Sequence, residues 1–207
     1  MIKLHGLRFS NYTSLVKSLL IEKGLDFEEV LAPPSQDEAY LVRSPMGKMP
    51  SLEFDDGRYL SESLAIFHYL EALHPEPALL PGDPFEAAKA MELACHVKLD
   101  VELVARRFLP QVLFNKPVSD ETKKEVRRDL KKGMRAVDSL LVCDPHAVGK
   151  EFSVADMFVF WSFRAATGMT KAVIEVDLLD GHPALAELLG RLAERPSIAR
   201  VIEEASH

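Results

Sequence analysis

Ser44-Pro-Met-Gly-Lys-Met-Pro-Ser-Leu-Glu-Phe-Asp-Asp-Gly-Arg-Tyr-Leu-Ser-Glu-Ser-Leu64 is the stretch whose reading decides the fold. Pro50 precedes a short apolar run, Ser51 to Phe54, and suits the first position of a strand, where its missing N–H costs no ladder bond. Met49 before it is driven into an extended conformation. Asp55-Asp56-Gly57 between two short apolar stretches signals an antiparallel hairpin, because Asp and Gly tolerate the positive φ of tight turns. Ser61-Glu62-Ser63 then runs into Leu64, Ala65, Ile66, Phe67, Tyr69 and Leu70, so a helix starts there with hydroxyls and free N–H groups at its mouth. Such a mouth attracts carboxylates and phosphates.

Upstream, Ile2 to Leu4 and Phe27 to Val30 read as strands, with a helix from Tyr12 to Lys23 between them and a short helix near Asp37 to Val42. Gly24 stands where a left-handed helix cap is wanted. The order β-α-β, then α, β, β, α, predicts a mixed four-stranded sheet, parallel in its first half and antiparallel in its second. The Pro-rich connection from His74 to Pro84 breaks both helix and strand. It divides the chain into residues 1–75, a linker over 76–84, and residues 85–207. Everything after Phe85 reads as helical: Phe85 to Leu113, Glu121 to Val142, an apolar run Met157 to Phe163 that should be the buried centre, and helices near His182-Pro183 and Arg195-Pro196. An all-α bundle follows from that pattern. Ser153 and Asp156 at the head of the apolar run form an acidic variant of the capping box, a structural device.

Composition narrows the function. At 207 residues and 47% hydrophobic content the chain supports a sizeable core. Its net charge of −7, from 25 basic and 32 acidic residues without a basic block, disfavours nucleic acid as a partner. The first residues lack the apolar segment of a signal peptide, and no apolar run approaches the roughly 20 residues that span a bilayer, so a cytoplasmic location without membrane partners is expected. Cys95 and Cys143 are far apart and outside any Cys-x-x-Cys pair, which predicts buried reduced thiols. His5, His68, His74, His96, His146, His182 and His207 are scattered without ligand spacing, and no metal is expected.

Gly47-Lys48-Met49-Pro50, Ser61-Glu62-Ser63-Leu64-Ala65-Ile66 and Phe152-Ser153-Val154-Ala155-Asp156 occur in the order and spacing of one family. Across essentially its whole length the chain resembles the cytosolic glutathione S-transferases. The resemblance implies a thioredoxin-like N-terminal domain that binds glutathione, an all-helical domain supplying most of a hydrophobic electrophile's pocket, and a homodimer. Pro50 would be a cis-proline, and Met49 would pair with the cysteinyl part of glutathione like an added strand. Glu62 would accept from the γ-glutamyl ammonium, and Ser63 would donate to its carboxylate. Lys48 would pair with the glycyl carboxylate, or is only a solvated edge charge.

The resemblance also locates the thiol-activating residue just after the first strand, where Ser10 stands. A hydroxyl there can donate to the glutathione thiolate, lowering the thiol pKa, with help from the helix dipole. The frequent Ser-Pro start of the serine-type classes is replaced by Ser10-Asn11, so Asn11 or Tyr12 could reach the sulfur instead, and Ser10 could merely cap its helix. The expected activity is conjugation of the glutathione thiolate to a hydrophobic electrophile. The alternatives are glutathione-dependent peroxide or disulfide reduction, isomerisation, or a non-catalytic interaction protein on the same fold. His96, Arg106 and Arg107 on the long helix are candidates for the electrophile pocket.

Overall fold

Strand β1, Ile2–Gly6, sets the layers of the N-terminal half through its alternation. The computed structural model describes residues 1–205. Leu4 is buried with its register partner Leu52 of β3 (Ser51–Glu53), so one face of the sheet carries the apolar core. Lys3 and His5 occupy the other face beside Glu53 and Ser51. β1 runs parallel to β2 (Phe27–Leu31) and antiparallel to β3, and β3 pairs antiparallel with β4 (Tyr59–Ser61). The strand order is β2-β1-β3-β4, the mixed four-stranded sheet expected from the sequence. Gly57 closes the hairpin with φ of +80°, a conformation open to glycine without a steric cost.

Helix α1, Asn11–Glu22, joins β1 to β2 and ends at Gly24, whose φ is +63°. The short α2 spans Glu38–Leu41, and α3, Ser63–Leu73, follows β4. Leu15, Leu19, Leu20, Ile66, Phe67 and Leu70 from α1 and α3 are all buried.

By its contacts the chain separates into two units, Met1–Leu79 together with the C-terminal stretch from Glu194, and Leu80–Ala193. The last helix therefore groups with the sheet and not with the helices of residues 85–193, which corrects the expected 85–207 boundary. Its labels follow below; the cause is that it packs on α1.

The second unit departs from the expected single helix over Phe85 to Leu113. Helix α4 covers Pro84–His96, a π-helical turn follows over Val97–Glu102, and then come α5 (Leu103–Ala105), a 3₁₀ turn (Arg106–Phe108) and α6 (Leu109–Phe114). Fully buried Glu102 lies in the π turn, where its carboxylate accepts from Ser162 Oγ (2.9 Å) and Arg106 Nε (2.6 Å). Gly133 of α7 (Asp120–Asp138) approaches the same turn so closely that a Cβ would stand 2.2 Å from the Asp100 carbonyl. Helix α7 stops at Asp138, four residues short of the expected Val142.

Helix α8, Val154–Ile174, is the buried centre foreseen from its apolar run, with Phe158 and Phe163 wholly enclosed. Helices α9 (Pro183–Ala193) and α10 (Pro196–Ala205) each open on proline. Cys143 is buried, whereas Cys95 is only half-buried, and both are free thiols.

Candidate functional site

Strand register brings the three candidate segments to one end of the sheet. Ser51 at the start of β3 is the partner of His5 near the end of β1 and of Ser61 at the end of β4. The chain leaving β1 leads to Ser10, the chain entering β3 is Lys48-Met49-Pro50, and the chain leaving β4 is Glu62-Ser63. All three belong to the first unit.

Ser10 is the N-cap of α1, buried, with its hydroxyl oxygen accepting from the Thr13 amide at 3.4 Å. A hydroxyl that accepts one bond still has its proton to donate, so capping and ligand contact are compatible roles. Asn11 and Tyr12 are half-buried in the first turn of the same helix. That turn carries no acidic residue, nor does the first turn of α3, so at both helices the positive end of the dipole is left unneutralised by a first-turn carboxylate.

Gly6 at the end of β1 sits directly over α1. A Cβ there would come within 2.4 Å of Thr13 Oγ1, so the close approach of strand and helix requires glycine.

The Met49–Pro50 peptide is cis, as the resemblance implied. Pro50 is buried, Met49 half-buried and Lys48 exposed. The loop ahead of them is tied by the Ser44 hydroxyl, which accepts from the Lys48 amide (3.2 Å), and by Gln36 Nε2, which donates to the Met46 carbonyl (3.2 Å). Gly47 turns this loop with φ of +64°, and a Cβ on it would lie 2.2 Å from the Ser35 carbonyl. Ser44 and Gln36 escaped the sequence reading, because nothing in a lone Ser or Gln says which backbone group it will meet.

Glu62 is the N-cap of α3 with φ of +70° and ψ of 117°, and its side chain makes no cap hydrogen bond. Its carboxylate is exposed while Ser63 is buried. Backbone strain of this kind in a non-glycine residue collects at functional sites. The sequence did not announce it, since Glu has no intrinsic preference for positive φ.

On the polar face of the sheet, buried His5 has Nε2 2.7 Å from Glu53 Oε2 and Nδ1 3.4 Å from an Arg43 guanidinium nitrogen. Hydrogen bonds from Lys3 and His5 hold the Glu53 carboxyl below its usual range. Among the described residues no group of three or more His, Cys, Asp and Glu could hold a metal ion, and His207 lies outside those residues.

Ser153 and Asp156 form their capping box in the second unit. The Ser153 hydroxyl accepts from the Ala155 amide (3.3 Å), and Asp156 accepts from the Ser153 amide (2.9 Å) and from the Ala147 amide (2.8 Å). Burial pushes the Asp156 carboxyl up, against the pull of those amides and of His146. Arg107 of the long helix pairs with Asp129 (3.0 Å), and His96 Nδ1 lies 2.7 Å from Asp100 Oδ2. Both side of pairs line a cleft of about 450 Å³ beside α7.

Residues 4–78 match the family model for the glutathione S-transferase N-terminal domain, and residues 108–205 the one for its C-terminal domain. A glutathione S-transferase of Pseudomonas putida is 37% identical over 204 residues, covering 99% of this chain and 92% of that protein. The chain belongs to the glutathione S-transferase family. A maleylacetoacetate isomerase of Pseudomonas aeruginosa is 27% identical over 200 residues, covering 90% of this chain and 94% of the isomerase. Among solved structures, a glutathione S-transferase of Methylobacterium radiotolerans in complex with glutathione sulfonate aligns with a TM-score of 0.80 at 29% identity, over 97% of this chain and 93% of that one. The mixed sheet with its helical partner unit is thus the glutathione S-transferase architecture. No helix among the described residues is long and apolar enough to cross a membrane.

Proposed function

We propose that the chain is a cytoplasmic, homodimeric glutathione transferase that joins the glutathione thiolate to a hydrophobic electrophile. The observation that carries this reading is the convergence of Ser10, Met49-Pro50 and Glu62-Ser63 at one end of the sheet. In this reading Met49 offers its extended backbone to the cysteinyl part of glutathione. Ser63 at the mouth of α3 donates to the γ-glutamyl carboxylate, Glu62 accepts from the ammonium beside it, and Lys48 meets the glycyl carboxylate.

Ser10 donates its hydroxyl proton to the sulfur, which stabilises the charged form, and the uncompensated N-terminus of α1 acts in the same direction. The nucleophile is the ligand's sulfur and not a protein side chain. The likeness to the Methylobacterium radiotolerans protein, which holds glutathione sulfonate, supports glutathione as the co-substrate.

Calorimetric titration with glutathione, repeated on Glu62→Ala, tests the site: saturable binding lost in the variant is expected. Absence of binding to the unaltered protein would overturn the reading and favour a non-catalytic interaction protein. Light scattering checks the dimer. A second reading, glutathione-dependent isomerisation, is favoured by the similarity to the Pseudomonas aeruginosa isomerase. Turnover of maleylacetoacetate, compared with conjugation of a chloronitrobenzene, discriminates between the two. Peroxide or disulfide reduction is disfavoured by a serine at position 10, which forms no mixed disulfide, so that a second glutathione would have to resolve the product.

A further inference from the structure

Helix α1 is buried along two full turns, and half of what it buries is polar. Thr13 to Leu20 are all enclosed. At about 100° per residue, Leu15, Val16, Leu19 and Leu20 form an apolar arc, and Ser14, Lys17, Ser18 and Glu22 form a polar one. A surface helix would leave that polar arc in water. Here Ser14, Lys17 and Ser18 are at most 3% exposed, and the element packed over the helix from the C-terminal stretch is α10.

Two ionic ties join the pair. Glu22 near the end of α1 receives Arg195 in bidentate form, Nε to Oε1 at 2.6 Å and Nη2 to Oε2 at 2.7 Å, and also accepts from the Ser197 hydroxyl. Lys17, one and a half turns back towards Ser10, pairs with Glu204 of α10 and with Glu29 of β2 at 2.6 Å. Glu204 is in turn held by Arg200 at 2.8 Å, and Arg8 lies 3.7 Å from Glu29. Bidentate Arg–carboxylate pairs fix orientation as well as distance. The ammonium of Lys17, held from the strand side and from α10, sets the rotation of α1 about its own axis.

We propose that α10 is a positioning element of the thiolate site, holding α1 through Glu22 and Lys17 so that the Ser10 hydroxyl at its N-terminus meets the glutathione sulfur. This rests on the reading of Ser10 as the sulfur's donor. Its distinctive consequence follows from the division of labour: the groups that bind the body of glutathione sit on β3 and α3, and the group that meets the sulfur sits on α1. A small displacement of α1 therefore changes thiolate stabilisation without changing glutathione affinity.

The test compares the unaltered protein with Arg195→Ala, Glu204→Gln, the double variant and the conservative Arg195→Lys. Glutathione affinity, the pH midpoint of thiolate absorbance, turnover and thermal unfolding are measured on each. A misplacement well under 1 Å is expected to lower kcat roughly tenfold in the double variant and to raise the thiolate midpoint, with glutathione affinity within about twofold. Arg195→Lys should recover part of the turnover. Lys17→Met, which keeps the length of the chain and removes its charge, should reproduce the Glu204→Gln effect.

Unchanged turnover and midpoint in a folded double variant would overturn the proposal. So would loss of affinity and turnover together in step with unfolding, which is what a merely structural tie produces. If the unaltered protein binds glutathione but shows no depressed thiol midpoint, the Ser10 reading itself fails, and that outcome is distinct from failure of the α10 variants.

Discussion

Two helices in this chain begin with a buried serine and use it differently. At α8 the Ser153 hydroxyl caps the helix, and Asp156 three residues on returns the bond to the Ser153 amide and reaches the Ala147 amide as well. The acid neutralises the helix end and consumes the site. At α1 the residue three places after Ser10 is Thr13, whose side chain is turned against Gly6, and the first turn holds no acid. The same cap residue thus closes one helix and leaves the other open to an anion. What decides between a structural and a ligand-binding serine is the residue at the third helical position.

The comparison breaks most visibly at Asp156. Asp156→Ala leaves two buried amides without an acceptor and is expected to cost about 3 kcal/mol of stability, read by denaturant unfolding, with glutathione affinity unchanged wherever the protein is folded. Ser10→Ala is the mirror image. Losing a cap costs about 1 kcal/mol of stability, yet removal of the thiolate's donor should lower kcat about 100-fold. A Ser10→Ala protein with full activity towards every accepted electrophile and an unaltered thiol titration would reassign the donor to Asn11 or Tyr12.

Asn11→Asp sharpens the contrast by giving α1 the first-turn acid that α8 already has. The added charge should raise the pKa of bound glutathione's thiol by about half a unit, measured by thiolate absorbance, with little change in unfolding.

The smallest effect concerns pH. Burial pushes the Glu22 carboxyl up, but the hydrogen bonds from Arg195 and Ser197 more than offset it, and its pKa ends below the ordinary value. Its contribution to stability is therefore present above the unfolded glutamate value of about 4.3 and is lost as pH falls through the lower folded value. Asp156 has the opposite sense, because burial raises it: what it contributes is full below the unfolded aspartate value and declines as pH rises through its folded pKa. Acid unfolding of Glu22→Gln should be flatter over this acid limb than that of the unaltered chain.

Much of the candidate site was legible before any coordinates. Pro50, Glu62, Ser63, Ser10 and the Ser153–Asp156 box all announce themselves through chemistry that acts within a few residues: a missing N–H, a capping hydroxyl, a carboxylate at a helix mouth. The supports were not. Ser44 and Gln36 hold the loop before Met49 by bonds to backbone groups four and ten residues away. The positive φ of Glu62 depends on how β4 hands the chain to α3. The break in the expected Phe85 to Leu113 helix was hidden for a related reason: apolar spacing continues through the π turn, and only the close approach of Gly133 and the inward Glu102 reveal it.

By itself the sequence determined the order of elements, the mixed sheet, the hairpin and the helix starts, because each follows from turn chemistry, capping or periodicity among near neighbours. Only the tertiary structure decided what covers each face. The polar arc of α1 reads as solvent-facing in the sequence, and it is buried because a helix some 180 residues later folds back onto it and supplies the matching charges. Periodicity reports that a helix has two faces; the partner of each face is set by long-range packing, which no local pattern encodes.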